Sequence, residues 1–444
     1  MTVTYSSVVA TAKYWTFIRL LFMWKGSVYR LVWFEFLVFV GIYSVLSVTY
    51  RFILSATLKR YFELLCIYCG QYNETVPVAF VLGFYVSLIV QRWWEQFLAL
   101  PWPDRLALFI TAFCHGNAER PTRIRRNIVR YINLSYCIAL RAISSRARLR
   151  FPTEEHLVTA GLMTQEELDI YRSTQPSEYT LYFVPLVWAL DMVTKAREEG
   201  YIRFDRAVEI LTNEITSFRS KLGTIFSYDW VNPPLVYTQT VTIAVYGYFG
   251  TCLLAWQYLD PSKGYEGHDV DIYVPIFGLL RFFFYIGWLK VAESLINPFG
   301  EDVDDFEIEY LIERNLQVSY LIVDGMHHEH PDLVRDAYWN TTDIVLPDWT
   351  KIATDGSAAE ANLDASEGAD KFIGSLANID VTDRRPSVLF WNSSNLHRRR
   401  TSSTSAKQST TYPQIISTHK IHGFLNLYIL ASQCTWLLRA REFY

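Results

Sequence analysis

The densest group of chemically active side chains in this 444-residue sequence is the run Ile296-Asn-Pro-Phe-Gly-Glu-Asp-Val-Asp-Asp-Phe-Glu307. Glu301, Asp302, Asp304, Asp305, Glu307 and Glu309 put six carboxylates into nine residues with no base among them. Such crowding is unfavourable unless water or a cation screens it. Calcium suits a set of this kind, since it takes about six to eight hard oxygen ligands in adaptable geometry, backbone carbonyls included. Pro298 and Gly300 would bend the chain and aim carbonyls inward. The spacing is not that of an EF-hand. A solvated, acidic helix start favoured by the macrodipole is the other reading of the same residues.

A second pattern is aromatic. Val76, Phe80 and Phe84 recur every four residues, which places them on one face of a helix. Turned toward a pore, such a stripe forms an apolar constriction that gates by dewetting, and the positive ring edges tolerate a weakly hydrated anion. Turned elsewhere, it packs on a neighbouring helix or on lipid. Glu35 and Arg281 interrupt two apolar stretches; intramembrane ionisable residues face a bundle interior or water, so Arg281 either attracts anions or, the favoured reading, pairs with a carboxylate such as Glu35 for structure.

No catalytic set is present: the sequence has no nucleophile elbow, P-loop or HExxH. An enzyme is not expected. Of six cysteines only Cys66 and Cys69 are close together, and a lone CxxC is a weak zinc signal. His327-His328-x-His330 reads as a solvated surface turn. Ser387 and Ser402, each behind paired arginines, fit basophilic phosphorylation sites. A net charge of −4 argues against a nucleic-acid partner.

These residues sit on a chain whose composition separates membrane from water. About half of it is apolar and 16% aromatic, yet the mean hydropathy is only +0.09, so apolar spans must alternate with a large polar part. A bilayer core of ~30 Å needs about 20 apolar residues of helix. Four stretches qualify: Leu31 to Tyr50, Thr75 to Gln91, Trp230 to Leu259 and Ile272 to Leu289. The opening MTVTYSSVVATAKYWTF shows no signal peptide, so the spans themselves should direct insertion. Residues 1–34 carry Lys13, Arg19, Lys25 and Arg30 and no acid, and residues 101–150 carry ten arginines. The loop from Asp260 to Asp271 is acidic, and it and the stretch 51–74, read as a loop, are expected to face outside. The positive-inside rule therefore places both termini and the 92–229 block in the cytosol.

That block has helical rather than strand periodicity. IRRNIVRYINLSYCIALRAISSRARLR (124–150) sets apolar residues at helical spacing between arginines, and Thr164 with Glu167 has capping-box spacing. The predicted organisation is a cytosolic segment 1–30, spans one and two in 31–98, cytosolic helices in 99–229, spans three and four in 230–293, and a cytosolic acidic and helical part in 294–345. Beyond it, 346–444 is too rich in Ser, Thr, Asp and Gly to bury a core, apart from a short apolar segment at 422–438.

Long ordered blocks of this sequence resemble one family, the bestrophins, calcium-activated chloride channels of animal membranes. They are MTVTYSSVVATAK, PVAFVLGFYVSLIVQRWW with LPWPDR, YDWVNPPLVYTQTVTIAVY, GWLKVAESLINPFGEDVDDFE and RNLQVSYLIVDGMH. The resemblance runs from Met1 to about Asn340. It implies an all-α, multi-pass homopentamer of the plasma membrane, in which second spans line one central pore for chloride and other small anions. It also implies that Val76, Phe80 and Phe84 form the pore neck. The implied calcium clasp takes Asp302 and Asp305 as carboxylates and Ala10, Ser294 and Asn297 as carbonyl donors. A further cytosolic aperture falls near Arg206, where the family has a small apolar side chain; a ring of guanidinium groups there would favour anions. Val303 interrupts the acidic run, and RRPSVLFWNSSNL (384–396) loosely resembles an autoinhibitory segment. The expected function is a calcium-activated anion channel. The competing reading is a calcium-binding membrane regulator of other channels.

Overall fold

Proline placement sets where the long apolar helices begin. Pro77, Pro234 and Pro275 each immediately precede one, where a missing N–H costs no intrahelical bond. The computed structural model describes residues 15–75, 77–174, 180–268, 270–342 and 344. Ala10, Val76, Ser387, Ser402 and the segment 422–438 lie outside the described residues. Within them the regular structure is helical, with one isolated antiparallel bridge between Cys114 and Ile202.

The elements in chain order are α1 (Thr16–Leu21), α2 (Val28–Val48, prolonged by a π turn, Thr49–Ile53), α3 (Ala56–Tyr72), α4 (Val78–Ala99) and α5 (Asp104–Phe113). There follow α6 (Glu119–Ile143), α7 (Ser145–Arg150), α8 (Glu154–Thr159), α9 (Gln165–Ser173) and α10 (Val184–Glu198). The last are α11 (Asp205–Trp230), α12 (Leu235–Ala255), α13 (Ile276–Leu295) and α14 (Ile308–Tyr320, ending in a π turn, Leu321–Gly325).

Helices α2, α4, α12 and α13 correspond to the four apolar stretches and share one core. Val32, Phe39, Leu82, Ile89, Phe249 and Phe282 meet in it. Phe39 stacks on Phe282 at 4.3 Å between centroids, and Phe249 meets Phe282 edge-on at 4.8 Å. Gly287 lets α2 approach α13, since a Cβ there would come within 2.8 Å of a Val28 methyl. Among the described residues, only Val28–Ile53 is long and apolar enough on its own to cross a bilayer. The other three have 22, 21 and 20 residues but carry Arg92 and Glu95, a series of Tyr and Thr, or Arg281, Lys290 and Glu293. The hydroxyls of Thr240 and Thr242 are satisfied within their own helix, donating to carbonyls one turn back.

The second core gathers α5, α6, α10, α11 and α14. On α6 the helical spacing buries Ile124, Ile128 and Ile132 completely, each worth ~1.5–3 kcal/mol relative to exposure. Arg130, on the same helix, forks onto Glu167 with two 2.6 Å bonds, and Tyr131 donates to the same carboxylate at 2.8 Å. Glu167 also closes the expected capping box, accepting from the Thr164 N–H at 2.9 Å.

Three sequence expectations are corrected. The stretch 51–74 is helix α3 rather than loop. Glu63 on it is fully buried because Tyr50, Lys263 and Tyr265 all donate to its carboxylate, at 2.7, 2.5 and 2.9 Å. Glu35 pairs with Lys290 at 2.7 Å rather than with Arg281, because the rotation of α13 turns Lys290 toward α2 and Arg281 toward Tyr248 on α12. His327 is buried, not solvated: its ring lies 4.1 Å from that of His328 and neither nitrogen is in hydrogen-bond geometry, although the Gly116 carbonyl faces it.

Burial, and then the nearby charge of Arg125 with His328 and His115, pushes the His327 pKa down to about 4. The unfolded chain takes a proton near 6.5, so the contribution of the neutral ring to stability is complete above pH 6.5 and declines as pH falls toward 4. Hydrogen exchange of residues 321–330, corrected for the intrinsic rate, is expected to accelerate between pH 7 and pH 5 in the wild type. In His327→Phe that acceleration should be absent.

Candidate functional site

Helix α4 has two different faces. Val78, Leu82, Val86 and Ile89 are buried against the apolar core. On the opposite side Phe80 is 63% and Phe84 43% exposed, their rings edge-to-face with centroids 4.7 Å apart. Two adjacent phenylalanines left uncovered on one chain mark a functional or assembly surface rather than chance exposure. The same face continues through exposed Ser87 and Gln91 to Glu95. Gln91 donates to Glu95 at 2.8 Å, and the Tyr228 hydroxyl of α11 donates to its other oxygen at 3.0 Å. The stripe is therefore apolar at its first end and hydrogen-bonding at its second.

The acidic run forms a tight turn between the end of α13 and the start of α14. Asp305 is buried and its Oδ2 accepts the Asp302 N–H at 2.7 Å. The Phe306 N–H closes the turn on the Pro298 carbonyl at 2.9 Å. Arg146 from α7 donates to the carbonyls of Glu301 and Asp302 at 2.9 and 3.1 Å, which anchors the outside of the turn. Burial raises the pKa of the Asp305 carboxyl, and the charges of Asp302 and Asp304 add to this against the Asp302 N–H and Arg146. Asp304 is raised for the same reasons, burial first and then Asp302.

The geometry of the turn fits a small hard cation. A Cβ on Gly300 would fall 2.8 Å from Asp305 Oδ2 and 3.6 Å from the Asn297 carbonyl oxygen, so a carboxylate and a carbonyl border one cradle that only glycine leaves open. Ser294 and Asn297 stand at the C-terminal end of α13, where carbonyls lack intrahelical partners and the macrodipole favours a cation. The Ser294 hydroxyl is turned back onto the Val291 carbonyl at 3.0 Å, leaving its main chain as the donor. No three His, Cys, Asp or Glu side chains converge among the described residues, so an ion here depends on backbone oxygens beside Asp302 and Asp305.

The turn and the stripe meet through aromatics that inspection of the sequence alone passed over. Phe306, next to Asp305, packs on Trp93 and Phe97 of α4 at 5.6 and 5.3 Å and on Phe299 at 5.5 Å. Trp93 and Phe97 lie on the side of α4 away from Phe80 and Phe84. The only hint in the sequence was an aromatic inside an otherwise acidic run. Arg206, in the first turn of α11, is exposed and bonds to Glu209 at 2.8 Å. A ring built from this position would carry ion pairs rather than bare guanidinium groups.

An all-helical chain with an apolar helical core, an arginine-rich helical part and an acidic turn packed on one helix of that core has the make-up of a membrane protein. The chain belongs to the bestrophin family, whose sequence model, described as "Bestrophin, RFP-TM, chloride channel", matches residues 1–325; this is a family of channels, not enzymes. It is 49% identical to Bestrophin-3 of Homo sapiens over 378 residues, 84% of this chain and 56% of that protein. It is 51% identical to Bestrophin-2 of Mus musculus over 347 residues, 78% of this chain and 68% of that protein. The chain thus spans about 56% to 68% of the length of these relatives. A crystal structure of a bacterial bestrophin homologue from Klebsiella pneumoniae is 18% identical, with a TM-score of 0.48 over 66% of this chain and 98% of that chain.

Gly300→Ala should push the Asp305 carboxylate off the Asp302 N–H and destabilise the turn by about 1–3 kcal/mol, the usual cost of overpacking. A thermal melt of the purified protein checks this; an unchanged midpoint would mean that the cradle has room to spare.

Proposed function

We propose that this chain is a calcium-activated anion channel in which α4 lines a central aqueous path. The observation that carries the reading is the graded face of α4. Phe80 and Phe84 stand exposed opposite the buried face of α4, and the same face passes through Ser87 to Gln91 at the end of the span, as a path that is dry at one level and wet at the next would require. Closing such a face around an axis requires several copies in a cyclic arrangement, and the resemblance to bestrophins supplies five. In this reading α2, α4, α12 and α13 span the plasma membrane, with both termini and the α5–α11 region in the cytosol on the positive-inside argument.

Val76, Phe80 and Phe84 form the neck, an apolar ring that excludes water when narrow. Chloride and other small anions pass when it widens. Asp302 and Asp305 with the carbonyls of Ala10, Ser294 and Asn297 hold calcium, a hard cation suited to a mixed set of carboxylate and carbonyl oxygens. Phe306 transmits the state of that turn to α4 through Trp93 and Phe97. Calcium shifts the neck only by its differential affinity for the two arrangements. Arg206, paired with Glu209, lines the cytosolic aperture, and Ser387 and Ser402 are phosphorylation sites in the tail.

Purified protein in liposomes is expected to pass chloride with a steep dependence on calcium. Phe80→Ala with Phe84→Ala should pass it at negligible calcium, at roughly the calcium-saturated rate. A double variant that stays shut without calcium would remove the neck as the gate. Wild-type liposomes that pass no anion at any calcium level would instead favour a regulator of other channels.

A further inference from the structure

Arg281 stands in an otherwise apolar part of α13, and neither the neck nor the clasp uses it. Its Nη1 donates to the Tyr248 hydroxyl at 3.1 Å, a neutral acceptor. No carboxylate among the described residues is within ion-pair distance of it, in contrast to Lys290, which has both Glu35 and Glu293. Arg281 is exposed on the single chain, and a guanidinium without a counter-charge on a bilayer-spanning helix is costly. Its planar fork of N–H donors matches a carboxylate or phosphate in two-bond geometry.

Beside it is a built space. Arg281 lines a cavity of about 260 Å³ together with Trp256, Gln257, His268, Phe277 and Gly278. The Trp256 wall is fixed. A Cβ at Gly278 would sit 2.5 Å from the indole, so the ring lies directly on the backbone of α13. Phe39 and Phe249 flank the indole at 6.1 Å, and the Tyr43 hydroxyl donates to the Trp256 carbonyl at 2.9 Å. An aromatic wall with one charged group beside the polar side chains of Gln257 and His268 suits a small amphipathic ligand.

We propose that this cavity binds an oxyanion, a carboxylate or phosphate carrying a short apolar portion, with Arg281 as its charge partner and Trp256 and Phe277 as its walls. Two sources offer that chemistry. Arg281 lies about five residues into α13, roughly 7.5 Å along its axis, close enough for a long side chain to reach a lipid headgroup; this source rests on α13 crossing the bilayer as proposed above. A soluble aromatic or aliphatic anion does not depend on that reading.

The full-length protein is titrated with phenyl phosphate in detergent, following its thermal midpoint. The same protein in nanodiscs of phosphatidylcholine, with or without phosphatidylglycerol, is examined by native mass spectrometry for retained lipid. The wild type should bind at least one of the two probes. Arg281→Gln should weaken that binding at least tenfold, Arg281→Lys should restore part of it, and Phe277→Glu, at an exposed position, should weaken it by repulsion. Phosphatidylglycerol alone would identify a lipid, phenyl phosphate alone a soluble anion, and either supports the site. Equal binding by wild type and Arg281→Gln, or binding of neither probe by the wild type, would overturn it. Chloride flux of Arg281→Gln in liposomes separates the two readings, since retained flux with lost binding leaves the channel intact, and absent wild-type flux leaves the detergent titration standing.

Discussion

The constraint on which the rest depends is the burial of the Asp305 carboxylate beside Asp302 and Asp304. Withdrawing a carboxylate from water next to others of its kind is unfavourable unless positive charge or hydrogen bonds compensate. Here the Asp302 N–H and the Arg146 guanidinium compensate in part. The turn cannot relax by moving Asp305 outward, because Phe306 is wedged against Trp93 and Phe97. The buried carboxylate is thereby held in place by aromatic packing, and it is held against α4.

That placement gives α4 its role. Its first half belongs to the bundle core with α2, α12 and α13, and its second half reaches the helical core through Trp93 and Phe97. In the proposed mechanism a change in how the acidic turn sits is delivered to a helix that carries Phe80 and Phe84 on its other side. Packed helices shift as units rather than deforming continuously, so a small change at Phe306 has a direct mechanical route to the exposed stripe.

Much of this was legible in the residues. The four apolar stretches, the helical spacing on α6 and the Thr164–Glu167 cap rest on local patterns, and local patterns survive into the fold. What escaped depends on rotation and distance along the chain. Nothing in the spacing tells that α13 turns Lys290 rather than Arg281 toward Glu35. Helix α3 was missed because its residues mix charge with aromatics, and Glu63 finds its partners about 200 residues away. His327 was misread because a histidine run suggests solvent, whereas its neighbours Arg125 and His115 come from other parts of the chain. The acidic run holding Asp302 and Asp305 was visible by composition, and the family resemblance singled out those two as proposed cation ligands. The Gly300 cradle and the Phe306 wedge required the coordinates.

The most direct test of the coupling is chloride flux against calcium concentration in liposomes containing Phe306→Ala, with calcium binding measured on the same protein by calorimetry. If the aromatic wedge carries the signal, calcium still binds, within about threefold of wild type, while flux loses its dependence on it. A variant whose flux follows calcium as the wild type does would show that the acidic turn reaches the stripe by another route, or does not reach it.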